Sequence, residues 1–220
     1  MVQIYRPNIH PKMEYLPLIG TVAVLNLLAA ISPGPDFIMT VKNSLRYSRR
    51  TGIYTGIGIG LGLSVHLIYC AAGIGYIISK SILLFSVIKI LGAGYLIYIG
   101  LSSFFSKGLK LEITEEKTEA DLTGIAAFKM GFLTNVLNPK ATLFFLSLFT
   151  FVISSSTPLY IILIISIIII TTALVWFTTV AVFFTHQKVQ RMFIKYGNTI
   201  NRILGGLLVA IGIKIALTFR

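Results

Sequence analysis

The chain has 220 residues, 55% of them hydrophobic and 12% charged, whereas an ordinary soluble domain carries about 25% charged residues; the composition excludes such a domain and points to the membrane. Nineteen Lys and Arg against seven Asp and Glu leave a net charge of +12. A nucleic-acid binder gathers such charges on one polar face, but here they separate apolar runs, so nucleic acid is set aside as a partner and the charges are read as orienting helices in a bilayer. Cys70 is the single cysteine, which excludes an intrachain disulfide and a thiolate metal cage.

Arg6 and Lys12 precede the first apolar run, Leu16 to Ile31. No small-residue cleavage site closes that run and further apolar spans follow it, so it reads as a membrane helix and not as a signal peptide. Met1 and Met13 are both open as starts.

Span 1 is expected over 16–41, and it contains "SPGPD", Ser32 to Asp36. Were Pro33, Gly34 and Pro35 to end the helix at the surface, residues 16–31 would rise about 24 Å, short of a ~30 Å hydrocarbon core. Phe37 to Val41 are needed to finish the crossing, so the break is expected inside the membrane. A proline in a helix interior costs about 3 kcal/mol and a glycine about 1, so the backbone there should not be helical. At membrane depth such backbone must be buried in protein or line a wet cavity. It offers carbonyls at the end of one half-helix and amides at the start of the next, which suit an ammonium and a carboxylate respectively. Asn26, two turns upstream, is a candidate for the same cavity or for a bond between helices.

Span 2, over 53–78, carries the rows Gly52, Gly56, Gly60 and Gly58, Gly62, a pattern that permits close helix contact. His66, one turn past Gly62, is either a hydrogen-bond partner between helices or a proton relay. Span 3 covers 82–105. The stretch 106–124, which holds five of the seven acidic residues, reads as a solvated linker between two halves of a single transmembrane domain, about 14–105 and 125–219.

Span 4, over 125–153, repeats the logic of span 1. Thr142 to Ile153 is too short to cross without Met130 to Leu137, so Asn138, Pro139 and Lys140 interrupt it at depth. If Pro35 is matched with Pro139, Asp36 and Lys140 take corresponding positions. A charge at mid-bilayer costs about 2.5 to 3.5 kcal/mol on insertion scales, so both are expected to face a cavity or a partner; the plainer role for Asp36 is an anion at a helix N-terminus. Span 5, over 159–184, carries Trp176, read as packing or as a cavity wall, and span 6 covers 200–219.

Twelve Lys and Arg lie in or beside the 1/2, 3/4 and 5/6 connections and four on the opposite side, which places those connections in the cytoplasm. "KILGAGYLIYIG" in span 3 and "RILGGLLVAIGI" in span 6 are alike, and spans 1 and 4 share a proline break. The expected fold is an all-α membrane protein of six transmembrane helices forming two inverted three-helix repeats, with helices 1 and 4 broken.

The ordered set "SPGPDFIMTVKNSL", "RRTGIYTGIGIGLG", "IKILGAGYLIYIG", "GFLTNVLNPKATLFF" and "RILGGLLVAIGI" resembles the LysE/RhtB family of amino-acid exporters over about residues 14–216. The resemblance implies secondary-active efflux of amino acids or their derivatives by proton antiport across the bacterial inner membrane, with no enzymatic activity, cofactor or metal. Its partners would be the amino acid, protons and the lipid bilayer; association into a homo-oligomer is left open. The first-helix motif falls on Pro33, Gly34, Pro35 and Asp36, preceded by Ser32, and the fourth-helix motif on Asn138, Pro139 and Lys140, with Asn135 one turn earlier. Positions just after the span 2 glycines are often acidic in the family, whereas Ser64 and His66 stand here. The rival reading is a cation or metal-ion efflux permease, for which His66, Cys70 and Asp36 are a thin supply of ligands.

Overall fold

In a computed structural model of the chain, residues 15–106, 120–154 and 157–217 are described. Both candidate starts, most of the 106–124 linker with Lys107, Lys110 and Lys117, and Arg6, Lys12 and Arg220 lie outside the described residues. Among the described residues the regular structure is helical: α1 (Leu16–Ile31), α2 (Pro35–Arg46), α3 (Arg49–Lys80), α4 (Ile82–Phe104), α5 (Gly124–Val136), α6 (Pro139–Val152), α7 (Leu159–Phe183) and α8 (Gln187–Leu217). Helices α3, α4, α7 and α8 are each long and apolar enough to cross a membrane, and the α1/α2 and α5/α6 pairs bring the number to six if each is one bent span.

Both bends follow from local chemistry. Ser32 precedes a proline and is pushed out of the helical region, at φ −62° and ψ 121°, because the next ring crowds an α conformation. Helix resumes with Pro35 in its first turn, where a missing N–H costs nothing. The second break repeats this: Asn138 is extended, at φ −77° and ψ 108°, and Pro139 opens α6. The helix axes turn by 53° at the first break and 57° at the second.

Two spans begin earlier than their hydropathy suggests. α3 starts at Arg49, capped by Ser48 Oγ, which accepts from the Thr51 amide at 3.1 Å. α8 starts at Gln187 and not near residue 200. Its first turns are amphipathic: Gln190, Gly197 and Asn201 are buried while Lys188, Arg191 and Lys195 are exposed, a helical stripe that a search for continuous apolar residues passes over.

α3 is the axis of the packing, in contact with α2, α5, α6 and α7, while α4 packs on α6 and α8. The glycine rows explain how. Gly56 lies against the Phe177 backbone, 3.1 Å from where its Cβ would be, and Gly60 against Leu174 at 2.5 Å, both on α7. A Cβ at Gly58 would collide with the Phe128 carbonyl of α5, and one at Gly131 with the Thr55 carbonyl of α3. Gly100 of α4 and Gly205 of α8 abut in the same way.

Polarity runs inside out. Asn26, Thr40, Asn43, Thr55, His66 and Asn135 are at most 3% exposed, whereas Leu159, Ile167 and Val175 on α7 are 69%, 63% and 61% exposed, the reverse of a protein folded against water.

Gly131→Leu, which drives a side chain into the Thr55 backbone, is expected to destabilise the protein by at least ~1–3 kcal/mol. Gly206→Ala, where nothing lies within 4 Å, should leave stability unchanged or slightly raised. Thermal unfolding of the detergent-purified protein, followed by size-exclusion fluorescence, compares the two.

Candidate functional site

The two breaks face one another. Asp36 is the second residue of α2 and Lys140 the second of α6, each directly after the proline that opens its helix. Each charge is held by the opposite break. Asp36 Oδ2 accepts from Asn135 Nδ2 at 2.9 Å, while Lys140 Nζ donates to Ser32 Oγ at 3.1 Å and to the Ser32 carbonyl at 3.3 Å. Asp36 Oδ1 is buried and has no hydrogen-bond partner among the described residues. Gly34 lets the lysine lie flat: a Cβ there would stand 3.3 Å from Nζ and 3.4 Å from Cδ.

Carbonyls at the ends of α1 and α5 receive donors from other spans, that of Asn135 in addition to the Asn138 amide of its own span at 2.9 Å. Trp176 Nε1 donates to the Ala30 carbonyl at 3.0 Å. His66 Nε2 lies 2.9 Å from the Asn135 carbonyl; a carbonyl only accepts, so this nitrogen carries the proton and, in the neutral ring, Nδ1 accepts from the Tyr69 hydroxyl at 2.6 Å. The His66 ring also stacks on Phe145, centroids 6.0 Å apart. Asn26 Nδ2 donates to the Ile169 carbonyl at 3.2 Å, joining α1 to α7.

The two helix starts differ. Asn138 Oδ1 accepts from the Lys140 amide at 3.0 Å and caps α6, but at Gly34 no side chain caps α2. The first amides of α2 are therefore open toward the break, at the positive end of a helix.

Between the breaks lies a cavity of about 50 Å³, lined by Asn26, Ser32, Gly34, Asp36, Asn138 and Lys140 with apolar walls from Ala29, Phe144, Phe145, Ala173 and Phe177. Asn135 and His66 stand behind Asp36 and outside this lining, and Pro35 and Pro139 serve as helix starts. Pro33 lines a second, larger void of about 270 Å³, together with Ser32, Lys140, Ser103, Ser106 and Asn201. Phe37 is packed between Phe184 and Phe193, at centroid distances of 5.3 and 5.0 Å.

The sequence reads Trp176 as packing or as a cavity wall; it lies outside the cavity lining, and its bond to α1 has no local signal, the partner being 146 residues away. The sequence also reads Asp121 as part of a solvated linker, whereas Asp121 accepts from Ser48 Oγ at 2.7 and 2.8 Å and from Thr51 Oγ1 at the start of α3. Among the described residues no three His, Cys, Asp or Glu side chains gather to hold a metal ion.

Interrupted spans, an apolar exterior and opposite charges on a small interior cavity define a multi-pass membrane protein of the transporter class. The pattern of the LysE type translocators matches residues 27–218, and the chain belongs to that family. It is 30% identical over 217 residues to the uncharacterized membrane protein YrhP of Bacillus subtilis, covering 95% of this chain and 100% of that one. It is 28% identical over 204 residues to the threonine efflux protein of Escherichia coli K12, covering 92% and 99%, and 23% identical over 191 residues to the uncharacterized membrane protein YahN of the same organism, covering 87% and 85%. No solved structure matches the chain.

His66→Phe keeps the stack on Phe145 but removes one of the donors to the Asn135 carbonyl, which still accepts from the Asn138 amide at 2.9 Å, and is expected to cost about 0.5–1.5 kcal/mol. His66→Gln, which retains an N–H, should recover part of that loss. Melting temperatures of the purified variants give the order wild type, Gln, Phe.

Proposed function

We propose that the protein is a secondary-active exporter of small, electrically neutral amino acids, driven by proton antiport across the bacterial inner membrane. Carrying this reading is the pair Asp36 and Lys140, one at the start of the helix after each break, on the wall of one cavity. The family match and the threonine efflux relative supply the substrate class. The substrate's ammonium goes to the open oxygen of Asp36, and its carboxylate to Lys140 and the uncapped amides of α2. The rest of the lining is uncharged, so no further charge remains for a basic or acidic side chain. A proton on Asp36 cancels the charge that draws the ammonium, so protonation and substrate binding exclude one another.

The chain is further read as one domain of two inverted halves, 14–105 and 125–219, joined by the 106–124 linker. Supporting this are the similar bends of 53° and 57°, the matched proline starts, and a crossed pattern of donors: span 2 supplies His66 to the break in span 4, and span 5 supplies Trp176 to the break in span 1. Halves related in this way rock about a fixed midplane site.

Expression in a host loaded with amino acids should lower the internal pool and raise the external pool of threonine, serine or homoserine, leaving lysine and glutamate unmoved. Asp36→Asn and Lys140→Gln should each cut that export by about 10- to 100-fold at equal abundance, the worth of one hydrogen bond to a charge. Resistance to metal salts without any amino-acid export would overturn the assignment. Uphill export that survives collapse of the proton gradient would overturn the coupling.

A further inference from the structure

We propose that the larger void beside Pro33 is a loading site, which takes the zwitterion from the cytoplasmic side and hands it to the central cavity through Lys140. The proposal rests on the exporter reading above and on the orientation given by the basic connections.

The void runs from the first break along α4 toward Ser106, just past the end of that helix, and α8 closes its far wall with Asn201. At about 270 Å³ it exceeds the central cavity of about 50 Å³; one buried water needs only ~10–15 Å³, so a solute of several heavy atoms enters it. Ser32 and Lys140 line both spaces. They are the partition, and the lysine's bonds to Ser32 hold it shut.

A polar chain continues from that partition across the contact between α4 and α8. Ser32 Oγ lies 3.4 Å from Ser103 Oγ, Ser103 Oγ donates to the Asn201 carbonyl at 3.4 Å, and Asn201 Nδ2 donates to Ser106 Oγ at 3.2 Å. Asn201 is 1% exposed, and its Oδ1 is buried with no hydrogen-bond partner among the described residues. A buried acceptor left open is costly, and on this wall it matches an ammonium or hydroxyl donor. Lys140 at the inner end matches a carboxylate. The two ends together select an α-amino acid over a simple anion or cation. Once its carboxylate displaces Ser32 from Nζ, the partition is undone by the substrate itself.

The test is sided transport in proteoliposomes of uniform orientation, using whichever of L-alanine, L-serine, L-threonine and L-homoserine the wild type moves fastest. Asn201→Leu should raise KM at the cytoplasmic face about tenfold, the effect of one lost polar contact, and leave KM at the other face unchanged. Asn201→Asp, which keeps the acceptor, should restore most of the loss. In a Cys70→Ala background, Ser106→Cys offers an exposed thiol at the mouth of the void, and the same amino acid should slow its labelling by a maleimide. KM rising equally at both faces, or labelling that the amino acid does not slow, overturns the loading site while leaving the exporter reading intact. A wild type that moves none of the four overturns both.

Discussion

A helix interrupted inside hydrocarbon leaves carbonyls and amides without partners, each costing several kcal/mol if unmet, and the architecture around both breaks answers that demand. Trp176 reaches from α7 to the Ala30 carbonyl, His66 from α3 to the Asn135 carbonyl, and Lys140 from α6 to the Ser32 carbonyl. All three donors come from spans other than the broken one.

The glycine rows of α3 have a role in the same economy. Gly62 stands so close to α5 that a Cβ would lie 3.0 Å from Asn135 Cβ and Oδ1, and His66, one turn on, is thereby within reach of the Asn135 carbonyl. On the other side, Gly56 and Gly60 bring in α7, the helix that carries Trp176. One small-faced helix sets the distances for both caps. Two of the groups left unmet lie at the cavity: the uncapped start of α2 and the free oxygen of Asp36. Unused hydrogen-bonding capacity held in a fixed place is what a polar solute can occupy without reorganising the protein.

The breaks themselves were legible in the sequence, because the argument needed only rise per residue and the chemistry of proline. The matching of Asp36 with Lys140 was legible for the same reason: each follows a helix-starting proline. The crossed bonds were not, since His66 and Asn135 are 69 residues apart and Trp176 and Ala30 are 146 apart, and nothing local to either residue fixes its partner. Asn201 was missed on another account. It falls inside span 6 as read from residue 200, but the buried stripe it continues, Gln190 and Gly197, lies before that point. Pro33 was grouped with the residues around it by motif, yet it lines the neighbouring void, because an extended Ser32 to Gly34 segment has two sides.

The crossed holds also bear on movement. Asp36, at the start of α2, is tied by Asn135 of α5, and Lys140, at the start of α6, by Ser32 at the end of α1. A displacement that parts the two breaks stretches both ties, and at 2.9 and 3.1 Å neither has slack. A solute that takes over the lysine removes one of them and so lowers the cost of breaking the rest. A lone ammonium or a lone carboxylate relieves only one end. In the exporter proposed above, release of these ties favours a molecule carrying both charges a short distance apart, which is the shape of an amino acid.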